Sequence, residues 1–152
     1  MRFYEGTLED IKNNKNTILN LMIQSLKITF SSIEISKDQI NSRFNNLITF
    51  IENGEAKILL AEDNKIICGY LWYFYKKKNL IHINSFVVDS KYRGKGIGST
   101  LYNMLYDNIQ TKNAKLELQV SSNNKEAINF YESKGFSPVK LTMTKSLNDK
   151  GG

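Results

Sequence analysis

A chain of 152 residues, 41% hydrophobic and 24% charged, is long enough to bury one ordinary core and too polar to sit in a bilayer. No apolar run reaches membrane-span length, the first residues lack a signal-peptide core, and a lone cysteine, Cys68, rules out an internal disulfide, so a reducing cytoplasm is expected. The net charge of +6 is lopsided: residues 1–75 hold eight Lys/Arg against nine Asp/Glu, and residues 76–152 thirteen against six, which implies an anionic partner for the second half.

Residues 2–5 read as a short first strand. From Leu8 to Phe30, apolar residues at Ile11, Ile18, Met22, Leu26 and Phe30 follow helical spacing, weakened by the Asn/Lys-rich section at 12–16. Ser36-Lys37-Asp38-Gln39 has capping-box form, and Ile40, Phe44, Leu47, Ile48 and Ile51 then make one apolar stripe closed by Asn53-Gly54. Three strands are predicted next, at Ala56–Ala61, Ile66–Tyr75 and Leu80–Val88, the first two joined by the polar turn 62–65. Cys68 falls in an apolar run without a basic neighbour and reads as a buried thiol; Lys76-Lys77-Lys78 reads as a solvated hairpin tip. Ile97, Leu101, Met104, Leu105 and Ile109 predict another helix, Lys115–Val120 a strand, residues 124–134 a short helix capped by Gly135, and Leu141–Leu147 a closing strand. No repeat or linker divides the chain, so residues 1–147 read as a single domain and 148–152 as a frayed tail. The order β-α-α-β-β-β-α-β-α-β gives an α/β (α+β) fold with a mixed sheet.

The most informative stretch is Arg93-Gly94-Lys95-Gly96-Ile97-Gly98-Ser99, between a strand and a helix. Glycines there permit a tight turn and close approach, while the free N–H groups and positive end of the following helix attract phosphate oxygens. The spacing is wrong for a P-loop, and Ser99 breaks the dinucleotide fingerprint. It reads instead as [RQ]-x-x-G-x-[GA], and resembles the acyl-CoA-binding motif of the GNAT N-acetyltransferase superfamily. A second signature lies one strand downstream: Asn124-Lys125-Glu126-Ala127-Ile128-Asn129-Phe130-Tyr131-Glu132-Ser133-Lys134-Gly135-Phe136 is similar to that family's N-x-x-A-x-x-F-Y-x-x-x-G-F. By motif the resemblance covers residues 55–147, and by element order the whole chain. Ser90 departs from the proline often found there.

The resemblance implies a splayed central strand pair, Phe86-Val87-Val88 against Lys115–Val120, with the pantetheine arm of acetyl-CoA bonded to the backbone of Phe86 and Val88. It implies pyrophosphate on the N–H groups of the 93–99 turn, charge from Arg93 and Lys95, and a bond from Asn124 to pantetheine. Tyr131 stands at the family's general-acid position; its plainer reading is a core aromatic. Thioester aminolysis also needs a free amine and an oxyanion donor, for which a backbone N–H near Val88 is the candidate. For the base, the family's strand often carries a carboxylate, which Leu80–Val88 lacks. His82 is the substitute, on one face with Asn84 and Phe86 unless a bulge intervenes, and a hydrogen-bonded sheet histidine is the competing reading. Glu34 is a further candidate.

The acceptor wall is expected to draw on Phe30, Ile33, Glu34 and Ile35, with Trp72, Tyr73, Phe74 and Tyr75 as added aromatic surface. The function expected is transfer of acetyl from acetyl-CoA to a primary amine, small-molecule or peptide, without a metal, since one His and one Cys offer no ligand cluster. The alternative is a catalytically silent acyl-CoA-binding or sensor domain of the same fold. A nucleic-acid-binding protein would satisfy the basic second half but lacks any recognition pattern, and no membrane partner is expected. Sequence leaves a homodimer open.

Overall fold

The computed structural model describes residues 1–29, 35–109 and 113–148. Its elements run β1 (Arg2–Glu5), α1 (Leu8–Asn13), α2 (Lys15–Thr29), α3 (Lys37–Glu52), β2 (Ala56–Asp63), β3 (Ile66–Lys77), β4 (Leu80–Val88), a 3-10 turn (Ser90–Tyr92), α4 (Ile97–Asn108), β5 (Lys115–Leu118) and α5 (Lys125–Ser133). The expected mixed α/β fold is present, with three local differences.

The first helical stretch is broken in two. Thr7 caps α1 through a capping box with Asp10, and Asn14, at φ −113° and ψ 25°, ends it while its side-chain amide donates to the Asp10 carbonyl. Asparagine competes with the backbone for such bonds, so it breaks helices where an apolar stripe alone predicts continuity. The Ser36–Gln39 capping box of α3 forms as expected.

The sheet order is β1-β2-β3-β4-β5, antiparallel except for the parallel pair β4/β5. Asn64 and Lys65 both take positive φ, as a two-residue hairpin turn requires. On one face, α1–α3 bury Ile18, Leu47, Ile58, Tyr70 and Trp72; on the other, α4 buries Leu59, Leu71, Ile83 and Leu101. Cys68 lies buried in this second cluster, its thiol near the Ala61 carbonyl and pushed up in pKa by burial, as a structural cysteine should be.

The second difference is a bulge in β4. Ser85 pairs with Trp72 and Ile83 with Tyr73, which leaves Asn84 between them without a partner in the register. Because side chains alternate with period two, one extra residue switches the faces. Ile81 and Ile83 face α4 before the bulge, and Phe86 and Val88 face it afterwards, with Val87 turned toward α1–α3. Tyr70, fully buried and pushed up to about 12 by desolvation, bonds Ser85 at 2.9 Å just past the bulge and pins it.

The third difference corrects the expected closing strand: Leu141–Leu147 is not a strand. Residues 139–148 have no regular structure, and Val139, Leu141, Met143 and Leu147 are all exposed. Alternation encodes the capacity for a strand, but a strand exists only where a neighbour takes its hydrogen bonds. The predicted strand from Lys115 also stops at Leu118, where its pairing with β4 ends.

Leu101 is fully buried on α4 whereas Tyr106, five residues on and on another face, is exposed. Leu101→Ala should cost about 2–5 kcal/mol in a denaturant melt. Tyr106→Ala should stay within about 0.5 kcal/mol of the parent.

Candidate active site

The site begins where pairing stops. β4 and β5 share four rungs, Leu80↔Lys115 to Ile83↔Leu118, and beyond them residues 84–88 have, among the described residues, no strand on their β5 side. The two strands diverge into a fork whose backbone groups face an open cleft.

The glycine turn closes the wide end of that fork. Asp89 donates its backbone N–H to the Cys68 carbonyl, and its carboxylate caps the 3-10 turn through the Lys91 N–H at 3.0 Å. The Tyr92 hydroxyl donates to Asp63 at 2.8 Å, tying the turn to the β2–β3 hairpin. Gly94 and Gly96 take φ of +79° and +80°, conformations that L side chains enter at a cost, and open space surrounds the place of a Cβ at both. Gly96 is the N-cap of α4 with no side-chain cap, so the first N–H groups of a twelve-residue helix are left for a ligand.

The cleft is lined by Phe86, Val87, Val88, Arg93, Gly94, Gly96, Ile97, Gly98, Ser99, Asn124 and Tyr131, which are all but one of the residues singled out for acyl-CoA. Lys95 is the exception: its ammonium sits 5.2 Å from the centre of the Tyr92 ring. Arg93 lines the cleft with its side chain folded back, Nε donating to the Val88 carbonyl at 3.3 Å and a guanidinium nitrogen 3.9 Å from Glu126. Asn124 caps α5, its amide oxygen accepting from the Ala127 N–H at 3.1 Å, which leaves its NH2 as a donor for a ligand. Ser25, Tyr92, Glu126 and Phe130 also line the cleft. No sequence motif marks Ser25, because α2 meets the fork only through the tertiary fold.

Tyr131 is half-buried, in ring contact with Phe86, Phe130 and Phe136, and desolvation pushes its hydroxyl up to about 12. It is both an aromatic packing residue and a wall of the cleft, so its two readings are not exclusive.

His82 lies elsewhere than its spacing predicts. The bulge puts it on the opposite face of the sheet from Phe86, its ring 5.3 Å from Phe74 on the α1–α3 side. It is absent from the cleft lining and stands one rung inside the closed end of the fork. There it meets a residue the sequence gave no reason to single out, Glu117, its direct partner in register. His82 Nδ1 and Glu117 Oε1 are 2.9 Å apart, and Lys76 Nζ donates to the same oxygen at 3.1 Å. Lys76 is thus an ion-pair partner as well as part of a hairpin tip. The hydrogen bonds from His82 and then Lys76 hold the Glu117 carboxyl below its usual range.

Of the expected acceptor wall, Phe30, Ile33 and Glu34 lie outside the described residues, and Ile35 packs against the α1–α3 core. Trp72 and Tyr73 are core residues rather than pocket surface, with exposures of 1% and 2%. Among the described residues no group of three or more His, Cys, Asp and Glu stands close enough to hold a metal, and no helix is long and apolar enough to cross a membrane.

A fork in a mixed sheet, a glycine turn at its mouth and a helix N-terminus behind it correspond to one family model, the acetyltransferase (GNAT) family, which matches residues 20–136. The chain belongs to that family. Solved structures agree on the fold. A point mutant of a Bacillus halodurans protein superposes with a TM-score of 0.76 at 20% identity, covering 97% of this chain and 99% of that one. A PaiA N-acetyltransferase from Thermoplasma acidophilum, in complex with coenzyme A, gives 0.72 at 20% identity over 93% and 94%. An aminoglycoside acetyltransferase from an uncultured soil metagenomic sample, in complex with sisomicin, gives 0.66 at 16% over 97% and 96%. No curated protein matches the sequence. As a GNAT domain the chain is an acyltransferase, and its uncapped α4 N-terminus, open glycine turn and unpaired β4 backbone fit the phosphates and amide-rich arm of an acyl-CoA.

Gly96→Ala places a side chain at φ +80° and should cost about 1 kcal/mol in stability. In calorimetric titration it should weaken coenzyme A binding, and an unchanged affinity would remove the turn from the binding site.

Proposed function

We propose that the chain is an N-acetyltransferase that moves acetyl from acetyl-CoA to a primary amine by direct attack. The observation that carries this is Tyr131, a half-buried tyrosine kept protonated in the same cleft as the glycine turn. Pantetheine lies in the fork as an added strand beside Phe86 and Val88. The pyrophosphate takes the N–H groups at the start of α4, and the Asn124 NH2 holds the arm. The thioester then reaches toward the closed end of the fork.

His82 and Glu117 stand at that end. A carboxylate only accepts hydrogen bonds, so in neutral His82 the proton sits on Nδ1 and the lone pair on Nε2 is free. Nε2 takes a proton from the acceptor ammonium, directly or through a water, and the freed amine attacks the carbonyl carbon. A backbone N–H of β4 near Val88 stabilises the oxyanion. As the tetrahedral intermediate collapses and the C–S bond breaks, the Tyr131 hydroxyl donates to the departing thiolate. With its pKa pushed to about 12, that hydroxyl keeps its proton throughout the working range. Glu117 is a positioning residue that fixes the tautomer of His82, and Lys76 keeps Glu117 ionised.

The acceptor approaches from the α1–α3 face, where His82 lies, while Tyr131 serves the leaving group from the α5 side. A small-molecule amine suits this arrangement, as in the sisomicin-bound relative of the same fold. The silent-sensor alternative binds acyl-CoA without transfer. Release of coenzyme A from acetyl-CoA across a panel of small amines, aminoglycosides, amino acids and short peptides tests the proposal. Transfer to one class supports it, and coenzyme A binding with silence across the panel favours the sensor.

Given turnover, Tyr131→Phe should lower kcat by about 100-fold with little change in the KM for acetyl-CoA. An undiminished kcat would take Tyr131 out of the mechanism. Glu117→Gln should lower kcat by about 10- to 100-fold, because an amide can donate as well as accept and no longer fixes the tautomer of His82. An undiminished kcat would reduce Glu117 to a structural role.

A further inference from the structure

One primary amine of the chain is already seated at the closed end of the fork. Lys76 has no partner in the β3–β4 register, where Tyr75 pairs with Ile81 and Lys77 with Leu80. A bulge of this kind re-aims a side chain, and here it sends Lys76 across β4 to β5. Lys76 Nζ lies 3.1 Å from the Glu117 oxygen that is itself 2.9 Å from His82 Nδ1, so ammonium and imidazole meet on one atom. The Glu117 rung is next to the last of the ladder, about 3.3 Å from it. The Lys76 side chain is 53% exposed, and an ion pair in that setting is a weak tether on a flexible stem. Lys77 and Lys78, on the same hairpin tip, are exposed and pair with no carboxylate among the described residues.

We infer that Lys76 is itself an acetyl acceptor: with no outside amine in the site, the enzyme transfers acetyl from its bound acetyl-CoA to Lys76 Nζ. The inference rests on the acyl-transfer reading and uses the same groups. The ammonium leaves Glu117 and gives one proton to His82 Nε2 or to water, and the nitrogen lone pair attacks the thioester carbonyl carbon. A C–N bond forms, the C–S bond breaks, and coenzyme A departs as the thiol with the proton of Tyr131. The second proton on nitrogen replaces the one that Tyr131 gave. The products are acetyl-lysine, the free thiol and one proton released to solvent. Tethering supplies the proximity that an outside amine must gain by binding. Once acetylated, Lys76 has lost its charge and carries an acyl group beside His82, on the face from which an acceptor approaches. The modified chain is therefore a slower enzyme, and an outside amine protects it by competing for the same thioester.

The full-length protein, incubated with acetyl-CoA and no amine, should gain the mass of one acetyl group, and peptide mass spectrometry should map it to Lys76 well ahead of Lys77, Lys78 and Lys115. The rate per chain should not change when the protein is diluted, because the transfer is intramolecular. Lys76→Arg, which keeps a cation beside Glu117, should gain no acetyl over the same interval. Preincubation with acetyl-CoA should slow later transfer to a small amine several-fold in the parent and leave the rate of Lys76→Arg where it began. Acetyl spread over the lysines as in heat-unfolded protein overturns the proposal, and so does a rate per chain that rises with protein concentration. An unmodified Lys76 in a protein that acetylates small amines also overturns it and leaves the acyl-transfer reading standing. Coenzyme A binding with neither small amines nor Lys76 acetylated overturns both.

Discussion

The parallel ladder between β4 and β5 is four rungs long, and the site depends on where it ends. Inside the ladder the strands hold His82 opposite Glu117. Beyond it the backbone of β4 has lost its neighbour and faces the open cleft, where its hydrogen-bonding groups are a template for a ligand that bonds like a strand. In the proposed function that ligand is an acyl-CoA, and the break in the sheet is the surface it would use. The bulge at Asn84 acts at the same place. It turns Phe86 and Val88 toward α4 and α5 while leaving His82 on the side of α1–α3, so groups on opposite faces of one sheet address a single fork.

Electrostatics reinforce that geometry without dominating it. The basic second half suits a phosphorylated ligand, yet the two cations of the turn are occupied locally, Arg93 with the Val88 carbonyl and Glu126, Lys95 over Tyr92. The donors most directly aimed at phosphate are the backbone N–H groups opening α4, which cost nothing to orient because the helix already holds them. Tyr131 shows the complementary effect. Partial burial among Phe86, Phe130 and Phe136 disfavours its charged form and so keeps a hydroxyl donor in the cleft.

What the sequence alone determined was local or carried in contiguous motifs: the capping box at Ser36–Gln39, the glycine turn, the placement of Tyr131 on the helix after β5, and the mixed fold. Each depends on residues within a few positions of one another, so spacing was sufficient. Tertiary structure decided the rest. Asn14 split a helix that periodicity ran together, because one side-chain bond to the Asp10 carbonyl outweighed the apolar stripe. The bulge reversed the face of His82, since register is set by the partner strand and not by the strand itself. Glu117 became a neighbour of His82 only through a pairing across 35 positions. The arm at 139–147 carried a strand pattern and formed no strand, because a strand's hydrogen bonds must come from a second segment, and whether one is in reach is a property of the assembled molecule.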